Sequence, residues 1–223
     1  MSQSVARSKF MGVRLMTRLM TIRPLALALG LASSACSTQV PRVGAASADP
    51  QSSFLAALAQ HCGKAYAGRI DVNTPAAASD AFAGKALVMH VRDCSATEVR
   101  IPFHVGEDRS RTWVFTRTAE QLRLKHDHRH KDGSSDALTW YGGTARSPGT
   151  AIRQAFPADR ESRALFLRQD LPVSVDNIWA VEIEPGQRLT YELTRPNRVF
   201  RVVFDLTQSV PVPAPAWSYV GGK

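Results

Sequence analysis

The sequence predicts a mainly β protein: an antiparallel up-and-down β-barrel or meander of about ten strands, with one short helix at its N-terminal end. Three observations carry this. From residue 64 onward apolar and polar side chains alternate with a period of two, as they do in strands with one buried face. Clusters of Gly, Pro, Asn, Asp and Ser punctuate the chain roughly every 10–15 residues, at spacings that suit hairpin turns. Nowhere do strand and helix patterns alternate as a parallel sheet requires.

The helix comes first. Asp49-Pro50 places an N-cap before a proline at the first helical position, Phe54, Leu55 and Leu58 form a narrow apolar stripe, and Gly63 stops it. Residues 66–70 read as a strand in which Gly68 implies a bend or bulge. After the Ala-, Ser- and Pro-rich loop 74–84, Leu87, Met89 and Val91 alternate with Val88, His90 and Arg92. Val99, Ile101, Phe103 and Val105 alternate in the same way, and the turn at 93–96 joins the two runs as a hairpin. A polar loop at 106–110 leads to Trp113-Val114-Phe115 and, beyond Ala119-Glu120, to the run from Leu122 through His130, a second hairpin. The turn Asp132-Gly133-Ser134-Ser135 precedes a strand at 138–141. Residues 150–156 read as a short strand and 159–168 have helical spacing. The last third is the plainest: 177–184, 188–194 and 198–206 alternate throughout and are separated by Pro185-Gly186 and Arg195-Pro196-Asn197, which makes a three-stranded meander. Residues 210–217 are Pro-rich and expected to be extended and solvated.

The N-terminus reads as an export signal over residues 1–35. Arg7, Lys9, Arg14, Arg18 and Arg23 form a basic segment, and the apolar run 25–32 is far shorter than the ~20 residues of a membrane-spanning helix. Small residues follow up to Cys36. Ser33-Ser34-Ala35-Cys36 resembles the bacterial lipoprotein box, which implies lipidation at Cys36; Ser33 stands where that box usually has Leu. Cleavage after Ala35 or Ala48 without lipidation is the other reading. Ser37, rather than Asp, after Cys36 implies an outer-membrane lipoprotein facing the periplasm, the alternative being a periplasmic or secreted protein. Residues 36–48 then form a flexible tether, 49–208 a single β domain and 209–223 a Pro-rich tail.

Composition agrees with a folded domain: 44% hydrophobic and 21% charged residues exclude wholesale disorder. Of the 28 basic residues five lie in the signal, leaving 23 against 19 acidic ones, and these are interleaved along the chain, so no nucleic-acid partner is expected. Any membrane contact would come through the Cys36 anchor. With Cys36 set aside, Cys62 and Cys94 remain, an even pair for an oxidising compartment and expected to form a disulfide.

Chemistry is sparse. In Lys125-His126-Asp127-His128-Arg129-His130, strand periodicity turns His126, His128 and His130 to the side of Leu122 and Leu124, and Lys125, Asp127 and Arg129 to a solvated face. Imidazoles two apart on one strand can share a zinc or copper ion, with His90 or His104 as a further ligand, so this triplet is the candidate metal site. The flanking cations oppose it. Ser110, Ser134 and Ser135 lie in loops without a nucleophile elbow and read as turn formers, and no phosphate-binding, dinucleotide or calcium loop is present. No catalytic residue is assigned. Trp113, Trp140, Tyr141 and Trp179 read as core or as the lining of a barrel cavity. Arg92, Arg100, Arg117, Arg123, Arg153 and Arg201 either receive an anionic group there or cover the solvent face.

A short helix leading into a β-meander resembles the calycin architecture of lipocalins and their fatty-acid-binding and nitrobindin-like relatives, although no lipocalin Gly-x-Trp signature stands near the first strand. The stretches 101–113 and 125–133 resemble those of secreted proteins and lipoproteins of Gram-negative bacteria, which implies export and no particular activity. The expected function is therefore non-enzymatic binding of a small apolar or anionic ligand, or of a partner, through a β-barrel in the cell envelope; metal binding by the histidine triplet is the alternative.

Overall fold

The computed structural model describes residues 49–76 and 81–219. The signal and tether expectations, Cys36 included, lie outside these residues. Eleven antiparallel strands form a nearly closed barrel. They are β1 (Ala65–Thr74), β2 (Leu87–His90), β3 (Asp93–Cys94), β4 (Glu98–Val105), β5 (Asp108–Arg117), β6 (Leu122–His128), β7 (Tyr141–Thr144), β8 (Arg153–Pro157), β9 (Ile178–Glu184), β10 (Arg188–Arg195) and β11 (Arg198–Asp205). Both β2 and β3 pair with β4, so they are one interrupted strand and the wall is effectively the expected ten-stranded meander. The first strand pairs with the last, Gly68 opposite Phe204 and Thr74 opposite Val199. The remaining seam, between β7 and β8, carries the isolated bridge Gly143–Ala158, in which the Asp159 N–H donates to the Gly142 carbonyl at 3.1 Å.

Up-and-down topology sends alternate connections to opposite ends. One end is plugged. The helix α1 (Pro50–Ala59), capped by the Asp49 carboxylate on Ser52 N–H at 3.0 Å, packs against β4 and β5 on one side of the barrel and β8 and β9 on the other. It therefore crosses the end, and Phe54, Leu55 and Leu58 are buried completely, Phe54 edge-on to Phe115. Gln51 fastens the plug by accepting from Leu122 N–H (2.8 Å) and donating to the Ser147 carbonyl (3.1 Å). Just after the helix, Cys62 is disulfide-bonded to Cys94 in β3, as expected. The other end carries the helix α2 (Arg160–Arg168) and a 3-10 turn (Pro172–Asp176) between β8 and β9.

Three sequence expectations need correction. The outer face of β6 is not solvated. Lys125 is buried because α2 lies over it, with Nζ 2.7 Å from Asp159 Oδ2 and 3.3 Å from Ser162 Oγ. Asp127 is buried by the 129–140 loop and takes bonds from Arg129 Nε (2.7 Å) and Thr139 Oγ1 (3.4 Å). Second, the strand expected at 138–141 begins only at Tyr141. Thr139 Oγ1 accepts from His128 N–H, Asp136 Oδ1 from Leu138 N–H, and Trp140 has φ of 55°, so side chains take the bonds a ladder would use. Third, the Pro-rich tail is not free. Val210 N–H donates to the Ala65 carbonyl, Trp217 N–H to the Arg109 carbonyl and Arg109 Nη1 to the Pro215 carbonyl, so the tail lies along the outer wall and buries Ala216. Gly68 makes room for the Phe204 ring, and the β1 bulge comes later, between Ile70 and Val72. Among the described residues no helix is long and apolar enough to cross a membrane.

Candidate functional site

The open end of the barrel holds a cavity of about 240 Å³. Its walls follow from strand parity. Trp113 on β5, Tyr191 and Leu193 on β10 and Phe200 on β11 turn inward and line it, while Phe115, Leu189 and Phe204, inward on the same strands, belong to the buried core. Tyr191 stacks on Trp113 with ring centroids 4.3 Å apart and planes 7° from parallel, and Phe103 lies on Trp113 at 4.9 Å. Phe166 from α2 and Leu171 before the 3-10 turn close one side, and Leu138 of the 129–140 loop another.

His126 points inward as parity demands, but both its nitrogens are committed. Nδ1 lies 3.2 Å from the Tyr141 carbonyl oxygen, which can only accept, so Nδ1 carries the proton; Nε2 then accepts from the Tyr191 hydroxyl at 2.8 Å. The ring also stacks on Tyr141 (4.8 Å, 11°). Burial, and then neighbouring His128, push its pKa down to about 3. His128 faces the same cavity with Nε2 3.0 Å from the Tyr141 hydroxyl, and burial followed by the Arg111 charge brings its pKa down to about 4. Burial pushes the Tyr141 phenol up to about 12 and the Tyr191 phenol well above its usual value, so both stay neutral donors. His130 stands beyond the strand end and is exposed. The triplet therefore does not converge. Among the described residues no three His, Cys, Asp or Glu side chains are arranged to hold a metal ion. His104 faces the outer wall, buried, with its pKa lowered to about 4 by burial and then by His90.

None of the six strand arginines singled out in the sequence lines the cavity. Arg100 pairs with Glu98, Arg153 with Glu182 and Arg201 with Glu192 on the outer wall, which is the solvent-face reading, while Arg92 and Arg117 pair with Asp93 and Asp49 but are largely covered. A larger hollow of about 380 Å³ lies on that outer wall around Arg69, Asp71, Glu192 and Arg201, but its opposite charges neutralise one another.

Three other arginines stand at the mouth: Arg111, Arg195 and Arg198. Strand parity is the signal that points to them. Arg111 shares a face with Trp113 and Phe115, Arg195 with Leu193 and Tyr191, and Arg198 with Phe200 and Val202, so each continues an inward-facing row to the open rim. Arg111 is paired with Asp108 at 2.5 Å. Arg195 donates to Ser174 Oγ (3.4 Å) and Asn177 Oδ1 (3.3 Å), Arg198 to Asn73 Oδ1 (2.6 Å) and the Pro75 carbonyl (3.0 Å). All four acceptors are neutral. Burial, then the adjacent Arg198, lower the pKa of the Arg195 guanidinium. Ser134 Oγ bonds Asp132 within its turn, the structural role expected of it. The barrel is compatible with a lipocalin-like fold; comparison of the chain with protein-family models, with curated proteins and with solved structures returns no significant match.

Proposed function

We propose that the protein is a non-enzymatic binding protein that takes a small, largely apolar ligand into the open end of its barrel. The observation that carries this reading is the aromatic cavity of about 240 Å³ at one end, with the other end plugged by Phe54, Leu55 and Leu58 of α1. Pockets of this kind, apolar walls with a few polar groups at one side, are where small molecules bind. For scale, a dry cavity of about 150 Å³ accepts benzene. An exported, envelope-located protein fits the basic and apolar N-terminal segments and the cysteine pair.

Calorimetric titration with neutral one- and two-ring alcohols, benzyl alcohol and 2-naphthylmethanol, tests the reading. One molecule should bind per chain, and Leu138→Trp, which puts an indole into the mouth, should abolish the heat. Lack of binding at millimolar ligand, or binding indifferent to Leu138→Trp, would contradict it.

A further inference from the structure

Granted that reading of the cavity, the structure assigns a chemical class to its occupant: we infer a small ring-bearing carboxylate, its ring among the aromatic walls and its carboxylate between Arg195 and Arg198. The charge pattern is the first argument. The cavity lining contains three arginines and no acidic residue, and Arg111 alone has its charge answered, by Asp108. Among the described residues neither Arg195 nor Arg198 forms an ion pair.

The second argument is position. Arg195 and Arg198 are directly opposed across the β10–β11 hairpin, a cross-strand pairing of like charges that destabilises a sheet. The sequence therefore carries an unfavourable pair at the rim of its own pocket, and an anion between the two would reverse the sign of that interaction. Neutral oxygens from Ser174, Asn177, Asn73 and Pro75 hold the two guanidinium groups in place without neutralising them. Guanidinium forks match the planar carboxylate with paired N–H donors. Size is the third argument. A volume of about 240 Å³ suits one or two rings and leaves no room for a long acyl chain.

The test is calorimetric titration of the purified full chain with benzoate, 2-naphthoate and 4-phenylbutyrate, their primary amides, and acetate and inorganic phosphate as ring-free anions. At least one acid should bind about 10- to 100-fold tighter than its amide, the worth of a charge-assisted hydrogen-bonded pair. That preference should shrink with rising salt and fall below about threefold in Arg195→Gln/Arg198→Gln, with amide binding unchanged. Equal binding of acids and amides would overturn the anion assignment while leaving the carrier reading in place. Binding of acetate or phosphate as tight as that of the ring acids would overturn the ring assignment. If no compound binds, the carrier reading falls with it. Salt dependence in the unsubstituted protein decides the matter even if the double variant fails to fold.

Discussion

Replacing Gly143 with alanine attacks the barrel where its wall is thinnest. A Cβ there would stand 2.1 Å from the Pro157 carbonyl oxygen and 2.5 Å from that of Phe156. Both are backbone atoms and cannot rotate aside, so β7 and β8 must part by about 1 Å to restore ordinary contact. That movement opens the Gly143–Ala158 bridge by lengthening its 3.1 Å hydrogen bond from the Asp159 N–H to the Gly142 carbonyl. A hydrogen bond of this kind is worth about 1 kcal/mol, and overpacking against the backbone of fully buried Phe156 adds about 1–3 kcal/mol more. The expected loss is about 3 kcal/mol, or a fall in Tm of about 6–12 °C for a domain of this size. Urea unfolding followed by tryptophan fluorescence measures it, with the half-buried neighbour Thr144→Ala as the control. A loss below about 0.5 kcal/mol would mean that β7 and β8 do not meet as described.

Other outcomes follow from the same contacts. Reducing the Cys62–Cys94 disulfide, with a sequence separation of 32, should cost about 3.7 kcal/mol in the chain-entropy picture, read as a lower urea midpoint; an unchanged midpoint would contradict it. His126 and His128 are held neutral with folded pKa values of about 3 and about 4, below the unfolded value near 6.5. The unfolded chain therefore binds more protons on lowering the pH, and stability should fall from about pH 6.5 toward pH 4, with buried His126 contributing about 1.4 kcal/mol per pH unit; a His126→Phe variant with the same slope would refute this. Asp159→Ala should cost about 3–5 kcal/mol because it takes the nearer, half-covered carboxylate from buried Lys125, leaving it the exposed Glu161 at 3.5 Å, and uncaps α2, whereas Lys125→Met should cost less, and chemical denaturation showing the reverse order would contradict the buried-pair account. Micromolar zinc or copper should leave Tm unchanged because both nitrogens of His126 are already bonded; a metal-dependent rise that disappears when His126, His128 and His130 become alanine would restore a metal role.

Most of the wall is legible in the sequence because period-two alternation is a strong signal where one face is buried. Val99, Ile101, Phe103 and Val105 turn inward as expected, as do Leu189, Tyr191 and Leu193, and the Cys62–Cys94 bond forms. What alternation cannot report is which parts of the outer face are covered. Lys125 and Asp127 have the parity of solvated residues and are buried because the start of α2, more than 30 residues on, covers Lys125 and the loop that follows β6 folds back over Asp127, neither of which alternation can report. The site is half legible. Trp113, Tyr141 and Trp179 are recognisable as core or cavity residues, and the inward turn of His126 follows from its spacing. The arginines embedded among alternating residues stand out in the sequence but face outward. Arg111, Arg195 and Arg198 sit near strand ends and turns, where an inward row runs out of core and reaches the mouth, and there the alternation that marks a facing is weakest. The hydrogen bonds that occupy His126 come from Tyr191 and from the Tyr141 backbone, neither predictable from spacing.

The most direct test of the central claim, that the open end of the barrel is the ligand cavity, is methyl NMR of the leucines during titration with 2-naphthoate. Ring-current shifts should appear at Leu138, Leu171 and Leu193 around the mouth and leave Leu55 and Leu58 of the plug unmoved. Shifts that centre on Leu55 and Leu58, or that are absent at the mouth while binding is measurable, would place the ligand elsewhere and contradict the account.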